Sequence, residues 1–409
     1  MKKNYICCGS YGNAEYEGHG DGVTIYELNT ETGECSLLDS MDILEPSVLA
    51  LSPDRSWIYA VNEMSGFPDG DAGTGGGVTV LQFDEKEKKL IKITDTLALG
   101  SIPAYLSPDP TGMYMVVAIH AAFQVVSSYV RENGKYVCKR KYDPAGISLF
   151  RIIDGEMLEP VDLSYLEAEG SYWTYKDNRS LINPKYYGRC DLPDEYRLLQ
   201  SRAHAHCVMF ISETQFIVTD RGSDQVYLYG IDKTEHKLQR KFVYQAPLAT
   251  APRHTKLHPQ LPVFYMTNEI EPTVTAFKLH LDEECFEPIQ TVEIIREGSE
   301  ESTGAMDLCI HPTGEYLYVT GRNNSVCVLK LNPQSGTMEQ IQILDLSQKI
   351  PRSIDISDDG KLVAIACQKS DCLVLFDVDE RTGALKEKNI VNGVHTPTCV
   401  RFLETINSK

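Results

Sequence analysis

Six residues at matching places along the chain could together bind an anion and move a proton: Glu63, His120, Arg221, Glu269, Arg322 and Gln368. Each stands 17 positions after the start of a similar phrase. Near those starts lies a second set: Tyr105, His204 and His206, Arg253 and His254, Asp307, and Arg352. A guanidinium offers a fork of donors that suits carboxylate or phosphate. Imidazole moves protons near neutral pH, and a carboxylate among cations completes an acid–base set. Convergent Arg, His and Glu on neighbouring units therefore predict a site for an anionic substrate with a general acid or base. Other chemistries find less support. His204 and His206 lack a third ligand, so no metal is expected, and Cys207 should point to the opposite side of a strand from His206. No GxSxG elbow occurs. The glycine-rich run 70–78 lacks the Lys-Ser/Thr of a phosphate loop and opens a strand, which makes it a linker. His19, His236, His258, His280, His311 and His395 read as turn or surface residues.

The phrases that carry these residues are internal repeats. They read PSVLALSPDRSWIYAVNE from Pro46, PAYLSPDPTGMYMVVAIH from Pro103 and HAHCVMFISETQFIVTDR from His204. PRHTKLHPQLPVFYMTNE from Pro252, AMDLCIHPTGEYLYVTGR from Ala305 and PRSIDISDDGKLVAIACQ from Pro351 follow. Two apolar runs around a Pro/Asp/Gly turn predict a β-hairpin. A third strand follows in most copies (GVTVLQF, GISLFRI, QVYLYGI, TVTAFKL, SVCVLKL, CLVLFDV), then a turn and a weaker fourth strand. The starts recur every 46 to 57 residues, apart from 101 residues between Pro103 and His204. These spacings predict an all-β, seven-bladed β-propeller of four-stranded antiparallel blades. PTCVRF from Pro397 would pair with NYICCGS, GVTIYEL and CSLLDS to close the ring and hide its edges, with Ser10 as the seventh closing residue. The expected organisation is a single domain over residues 1–409, with insertions at 127–145 and 166–200 in the second blade. The longer insertion is expected to form a lid or wall over one mouth. First-strand starts and second-strand ends open on the same face, so both residue sets gather at one mouth of the channel.

Composition narrows the function classes. With 42% hydrophobic and 24% charged residues, the 409-residue chain is neither disordered nor collagen-like. No apolar stretch is long enough to span a membrane, and no secretory signal is read at the start. A net charge of −19 predicts no nucleic-acid partner, and Lys139-Arg140-Lys141 reads as a solvated loop. Twelve cysteines without a CxxC pair predict buried thiols in a reducing cytoplasm. A cytoplasmic, cofactor-free monomer or weak homodimer is expected.

Six motifs also carry a family resemblance: AHAH (203–206), DRGSDQVYLY (220–229), APRHTKLHP (251–259), TNE (267–269), IHPTGEYLYVTGRNNSV (310–326) and PRSIDISDDGKLVAIACQ (351–368). The chain resembles the seven-bladed propeller lactonases, which include bacterial propeller-type 6-phosphogluconolactonases and fungal carboxy-cis,cis-muconate lactonising enzymes. The resemblance implies a catalytic set of His206, Arg253, Glu269 and Arg322. His204, His254, Arg352, Arg221, Tyr105 and His120 are then expected to bind substrate. The second blade departs from the family, reading Pro103-Ala-Tyr105 and Ala118-Ile119-His120 where Pro-x-His and Ala-Asn-Tyr are usual. The implied reaction is hydrolysis of a small anionic sugar lactone, 6-phosphogluconolactone, with Glu269 or His206 as base. Arg322 or Arg253 would hold the oxyanion, and Arg352 the phosphate. Glu269→Gln is expected to cut turnover with little effect on thermal stability. Muconate cycloisomerisation fits the same residues, and a non-enzymatic binding propeller is the alternative from another class.

Overall fold

The hairpin, third strand and fourth strand of each repeat assemble into one sheet in the computed structural model, which describes residues 4–13, 16–68, 73–123, 125–176, 178–182, 198–296 and 304–404. Among these residues there are seven four-stranded antiparallel sheets and one two-stranded sheet. The innermost strands are Pro46–Leu51, Pro103–Pro108, Ala205–Phe210, Pro252–Leu257, Ala305–Ile310, Pro351–Ile356 and Pro397–Glu404, one to each blade. Each lies against the next, and the last lies against the first, so the sheets form a closed ring. Pro397–Glu404 pairs with Asn4–Ser10, and this antiparallel pair joins the two ends of the chain.

Alternation along the strands builds the interior. The second strands, such as Leu362–Cys367, are buried throughout, because both faces meet a neighbouring blade. The fourth strands, such as Lys89–Leu97, are mostly exposed. Five of the turns between third and fourth strands use the same side-chain device. Asn29, Asp84, Asp232, Asn332 and Asp379 each accept backbone N–H bonds from the residues two and three positions on.

One backbone hydrogen bond recurs at the mouth and fixes the closing residues. The N–H groups of Glu63, His120, Arg221, Glu269, Arg322 and Gln368 donate to the carbonyls of Glu45, Ile102, His204, Ala251, Gly304 and Ile350. Each acceptor immediately precedes an innermost strand. In the blade that joins the termini the same bond runs from Tyr11 to Thr396, at 3.2 Å. The closing residue there is therefore Tyr11; Ser10, expected in that place, pairs with Pro397 one step inside.

The insertion at 127–145 contains an ordered arm. Strands Val125–Glu132 and Lys135–Tyr142 pair over their whole length around an Asn133-Gly134 turn. Both turn residues have positive φ (49° and 81°), as a two-residue hairpin turn requires. Lys139, Arg140 and Lys141, read as a solvated loop, belong to the second of these strands. Alternating Tyr, Val and Cys around an Asn-Gly pair extend the chain there. Of the longer insertion, expected to form a lid, residues 177 and 183–197 lie outside the described residues. Its described part holds a short helix, Tyr172–Tyr175, whose Tyr175 packs with Ala249, Ala251 and Ile270 beside the fourth blade.

Candidate active site

A β-bulge near the start of every innermost strand places the site residues. The pairing register shifts between Pro46 and Val48, Pro103 and Tyr105, Ala205 and Cys207, Pro252 and Thr255, Ala305 and Leu308, and Pro351 and Ser353. A bulge leaves residues unpaired and re-aims their side chains. Adjacent Arg253 and His254 therefore both line one pocket, where simple alternation would have sent one of them away. His206, Arg352, Tyr105, Asp307 and Glu63 line it too, around a narrow cavity of about 20 Å³. Tyr105 and Arg401 also border a cavity of about 310 Å³, so these two side chains divide the channel.

Glu269 forms the centre of a second cluster beside the pocket. Its side chain is only 2% exposed. Arg221 Nη1 lies 2.5 Å from one carboxylate oxygen, Arg253 Nε lies 3.6 Å from the same oxygen, and Arg322 Nη2 pairs with the other. Burial alone would raise this carboxyl, but Arg221, Arg322 and Arg253 together hold it well below the usual carboxylate range. Glu269 is thus a permanent anion that anchors three guanidiniums. Gly304 permits the close approach of its loop, since a Cβ there would collide with the Glu269 carbonyl oxygen.

His120, on the divergent second blade, accepts a hydrogen bond at Nε2 from Arg221 Nη2 (2.7 Å) and stacks on His204 with ring centroids 4.3 Å apart. His204 Nδ1 lies 2.7 Å from the His120 carbonyl oxygen and donates to it. His204 and His206 therefore do different things: His204 braces His120, while His206 faces the pocket. Burial, followed by the charges of Arg221 and Arg253, holds the His206 imidazole well below its ordinary pKa, so it is neutral. Its Nδ1 is buried without a hydrogen-bond partner. Burial and then Arg253 push His254 down to about 4. His254 Nδ1 donates to Asp307 at 2.7 Å, and its ring meets Tyr105 edge-on at 5.1 Å. Arg253 itself, lowered to about 10 by burial, remains charged and donates to the Met306 carbonyl (2.7 Å).

Across the pocket, Arg352 donates to the Tyr11 hydroxyl (2.6 Å), which donates in turn to Glu63 (2.7 Å). The guanidinium carbon lies 4.9 Å from the centroid of the Tyr11 ring. Thus all ten expected site residues come to one mouth. They divide into an arginine cage around Glu269 with His120 and His204 beside it, and a pocket wall of His206, Arg253, His254, Tyr105 and Arg352. Sequence reading missed Tyr11 and Arg401. Tyr11 and Arg401 both belong to the blade assembled from the two ends of the chain, which has no hairpin phrase of its own to mark them. His258 and His311 are turn residues, as read, but buried ones that accept backbone N–H bonds at Nδ1.

A closed ring of four-stranded antiparallel blades, with a pocket lined by His206, Arg253, His254 and Arg352 at one mouth, defines a β-propeller. The sequence profile described as Lactonase, 7-bladed beta-propeller, matches residues 5–142 and 124–402. The chain belongs to this lactonase family. It is 24% identical over 387 residues to a 6-phosphogluconolactonase of Formosa agariphila, covering 91% of this chain and 94% of that protein. It is 21% identical to a 6-phosphogluconolactonase of Bacillus subtilis, covering 95% and 97%. Among solved structures, the periplasmic gluconolactonase of Pseudomonas aeruginosa superposes with a TM-score of 0.78 at 22% identity, covering 98% and 99%. A putative 6-phosphogluconolactonase from Bacteroides fragilis gives 0.76 at 23%, covering 98% of both chains.

Proposed function

We infer that the chain hydrolyses a sugar lactone, 6-phosphogluconolactone, to the open acid. The observation that carries this reading is the neutral, buried His206 beside charged Arg253, both lining the pocket. Water attacks the lactone carbonyl carbon as His206 takes its proton. Arg253 stabilises the oxyanion of the tetrahedral intermediate. The ring C–O bond then breaks, and the imidazolium returns the proton to the departing alkoxide. Glu269 is a poor base, because three guanidiniums occupy its oxygens and depress its affinity for a proton; its part is to keep Arg221, Arg253 and Arg322 in place. Arg352 receives the phosphate, with Tyr11 and Glu63 setting its direction. No observation favours cyclisation of a muconate over this hydrolysis, and the relatives reported above are named for lactone hydrolysis.

The test is a coupled assay on freshly generated 6-phosphogluconolactone, measured against its spontaneous opening. The native protein should accelerate opening, and His206→Gln should lower kcat about 100-fold. No acceleration by the native protein, or full turnover in the variant, would overturn the reading. Arg352 gives a separate prediction. Arg352→Gln should lower kcat/KM for the phosphorylated lactone by roughly 10- to 100-fold, the range expected for a hydrogen bond to a charged group. Hydrolysis of unphosphorylated gluconolactone should barely change, and an equal loss on both substrates would remove Arg352 from the phosphate role.

A cytoplasmic setting is part of the same proposal. It is supported by the eleven cysteines among the described residues, all free, with Cys138 exposed. No helix among the described residues is long and apolar enough to cross a membrane.

A further inference from the structure

The arm of Val125–Glu132 and Lys135–Tyr142 stands outside every blade as a sheet of its own. All eight residues of its first strand are exposed. Tyr129 and Tyr136 are 70% and 74% exposed, and the pairing of Tyr129 with Cys138 and of Arg131 with Tyr136 puts both rings on one face. A two-stranded hairpin alone is marginally stable in water and gains stability by packing a face or adding a strand. Among the described residues no strand pairs with either of its edges, which invites pairing. The roots, by contrast, are held firmly. Asp143 accepts from the Ala122 N–H (2.8 Å), and the Arg202 guanidinium lies 5.2 Å from the Tyr142 ring centroid. The arm is therefore a rigidly rooted projection with an uncovered aromatic face.

Charge indicates what covers it. The arm holds Arg131, Lys135, Lys139, Arg140 and Lys141 against Glu132 alone, so of the chain's net −19 it carries +4 and the remainder −23. Such a remainder repels nucleic acid but attracts this arm on another molecule. We propose that the arm docks its tyrosine face on the acidic body of a second copy, forming a reciprocal homodimer. The size is suitable: a standard interface takes about 20–30 residues from each partner. The eighteen-residue arm and the surface it meets on the other copy, contributed twice, supply that area.

Sedimentation of the full chain tests this at roughly 0.1 M and 1 M salt, where the screening length falls from about 10 to about 3 Å. At low salt the protein should sediment at twice its 45.8 kDa, and high salt should weaken the association. Two variants, Tyr129→Ser/Tyr136→Ser and Arg131→Glu/Arg140→Glu, whose positions share that face in the strand register, should each raise the dimer Kd by at least ~10-fold. Their circular dichroism and lactone turnover should be unchanged, because both pairs lie on the arm, outside every blade. A native protein that is monomeric at low salt would overturn the proposal, as would a dimer that survives both variants. A native monomer that binds a labelled single-stranded RNA would also overturn it, and would assign the arm to nucleic acid instead.

Discussion

Replacing Glu269 with glutamine should unsettle the fold as well as the reaction, lowering stability by about 3–5 kcal/mol, the usual cost of removing one partner from a buried ion pair. The carboxylate is the shared counterion of Arg221, Arg253 and Arg322. Without it, three guanidiniums would face one another around an uncharged amide. The amide could also satisfy fewer of their donors, since its nitrogen donates where an oxygen had accepted. Little effect on thermal stability was expected from sequence alone; the near-complete burial of Glu269 and its three cations overturn that expectation. Activity should fall by at least ~100-fold, because displacing an oxyanion-stabilising Arg253 by even an ångström is costly. Urea unfolding and the lactone assay read the two effects separately. A variant with a native urea midpoint would show that the cage balances its charge in some other way. Added phosphate should partly restore the midpoint, because an anion bound in the pocket supplies the missing charge to Arg253.

The repeats made the ring and its chemical mouth legible, and the reason is geometric. Each closing residue leaves the second strand at the same point and is tied by the same backbone bond, so spacing alone located Glu63, His120, Arg221, Glu269, Arg322 and Gln368. What spacing could not convey was direction. Strand alternation would separate Arg253 from His254, yet a bulge turns both into the pocket, and nothing in the phrase PRHTKL marks where the register slips. The division of labour was hidden for a related reason. Glu269 and His206 looked like equal candidates for a base, because a carboxylate's proton affinity depends on which cations surround it in space, and its three lie on three blades. Tyr11 escaped notice because the terminal blade is assembled from both ends of the chain, so its register follows from pairing rather than from any repeat. The basic arm is legible in Glu132-Asn133-Gly134-Lys135, a hairpin-turn signal between alternating residues inside the 127–145 insertion.

Acid should destabilise the protein over a window set by its buried histidines. His120, His204, His206 and His254 all have imidazoles that burial holds below the ordinary value near 6.5, with His254 at about 4 and His204 at about 3. The hydrogen bonds agree for His120, since Nε2 can accept from Arg221 only while unprotonated. In the unfolded chain these four groups take up protons as pH falls below about 6.5, whereas in the fold they resist. The unfolded state thus binds more protons, and the stability present above pH 6.5 is lost as pH drops towards the folded values. Each fully differential group contributes about 1.4 kcal/mol per pH unit, so four of them approach about 5. His258 and His311, also lowered by burial, add to the same side. Asp224, Asp220 and Asp355 act in the opposite sense: burial pushes their carboxyls up, that of Asp224 to about 7, so they bind protons more readily in the fold and offset part of the histidine share. The urea midpoint should therefore fall between about pH 6 and 4.5, with a net uptake of protons on unfolding. Glu269 contributes later, because its depressed pKa makes its share of stability disappear only below about pH 4.5. His120→Gln should reduce proton uptake by about one. A midpoint that stays level from pH 6.5 to 5 would mean the histidines are already charged in the fold, and His206 could then not accept the proton of the attacking water.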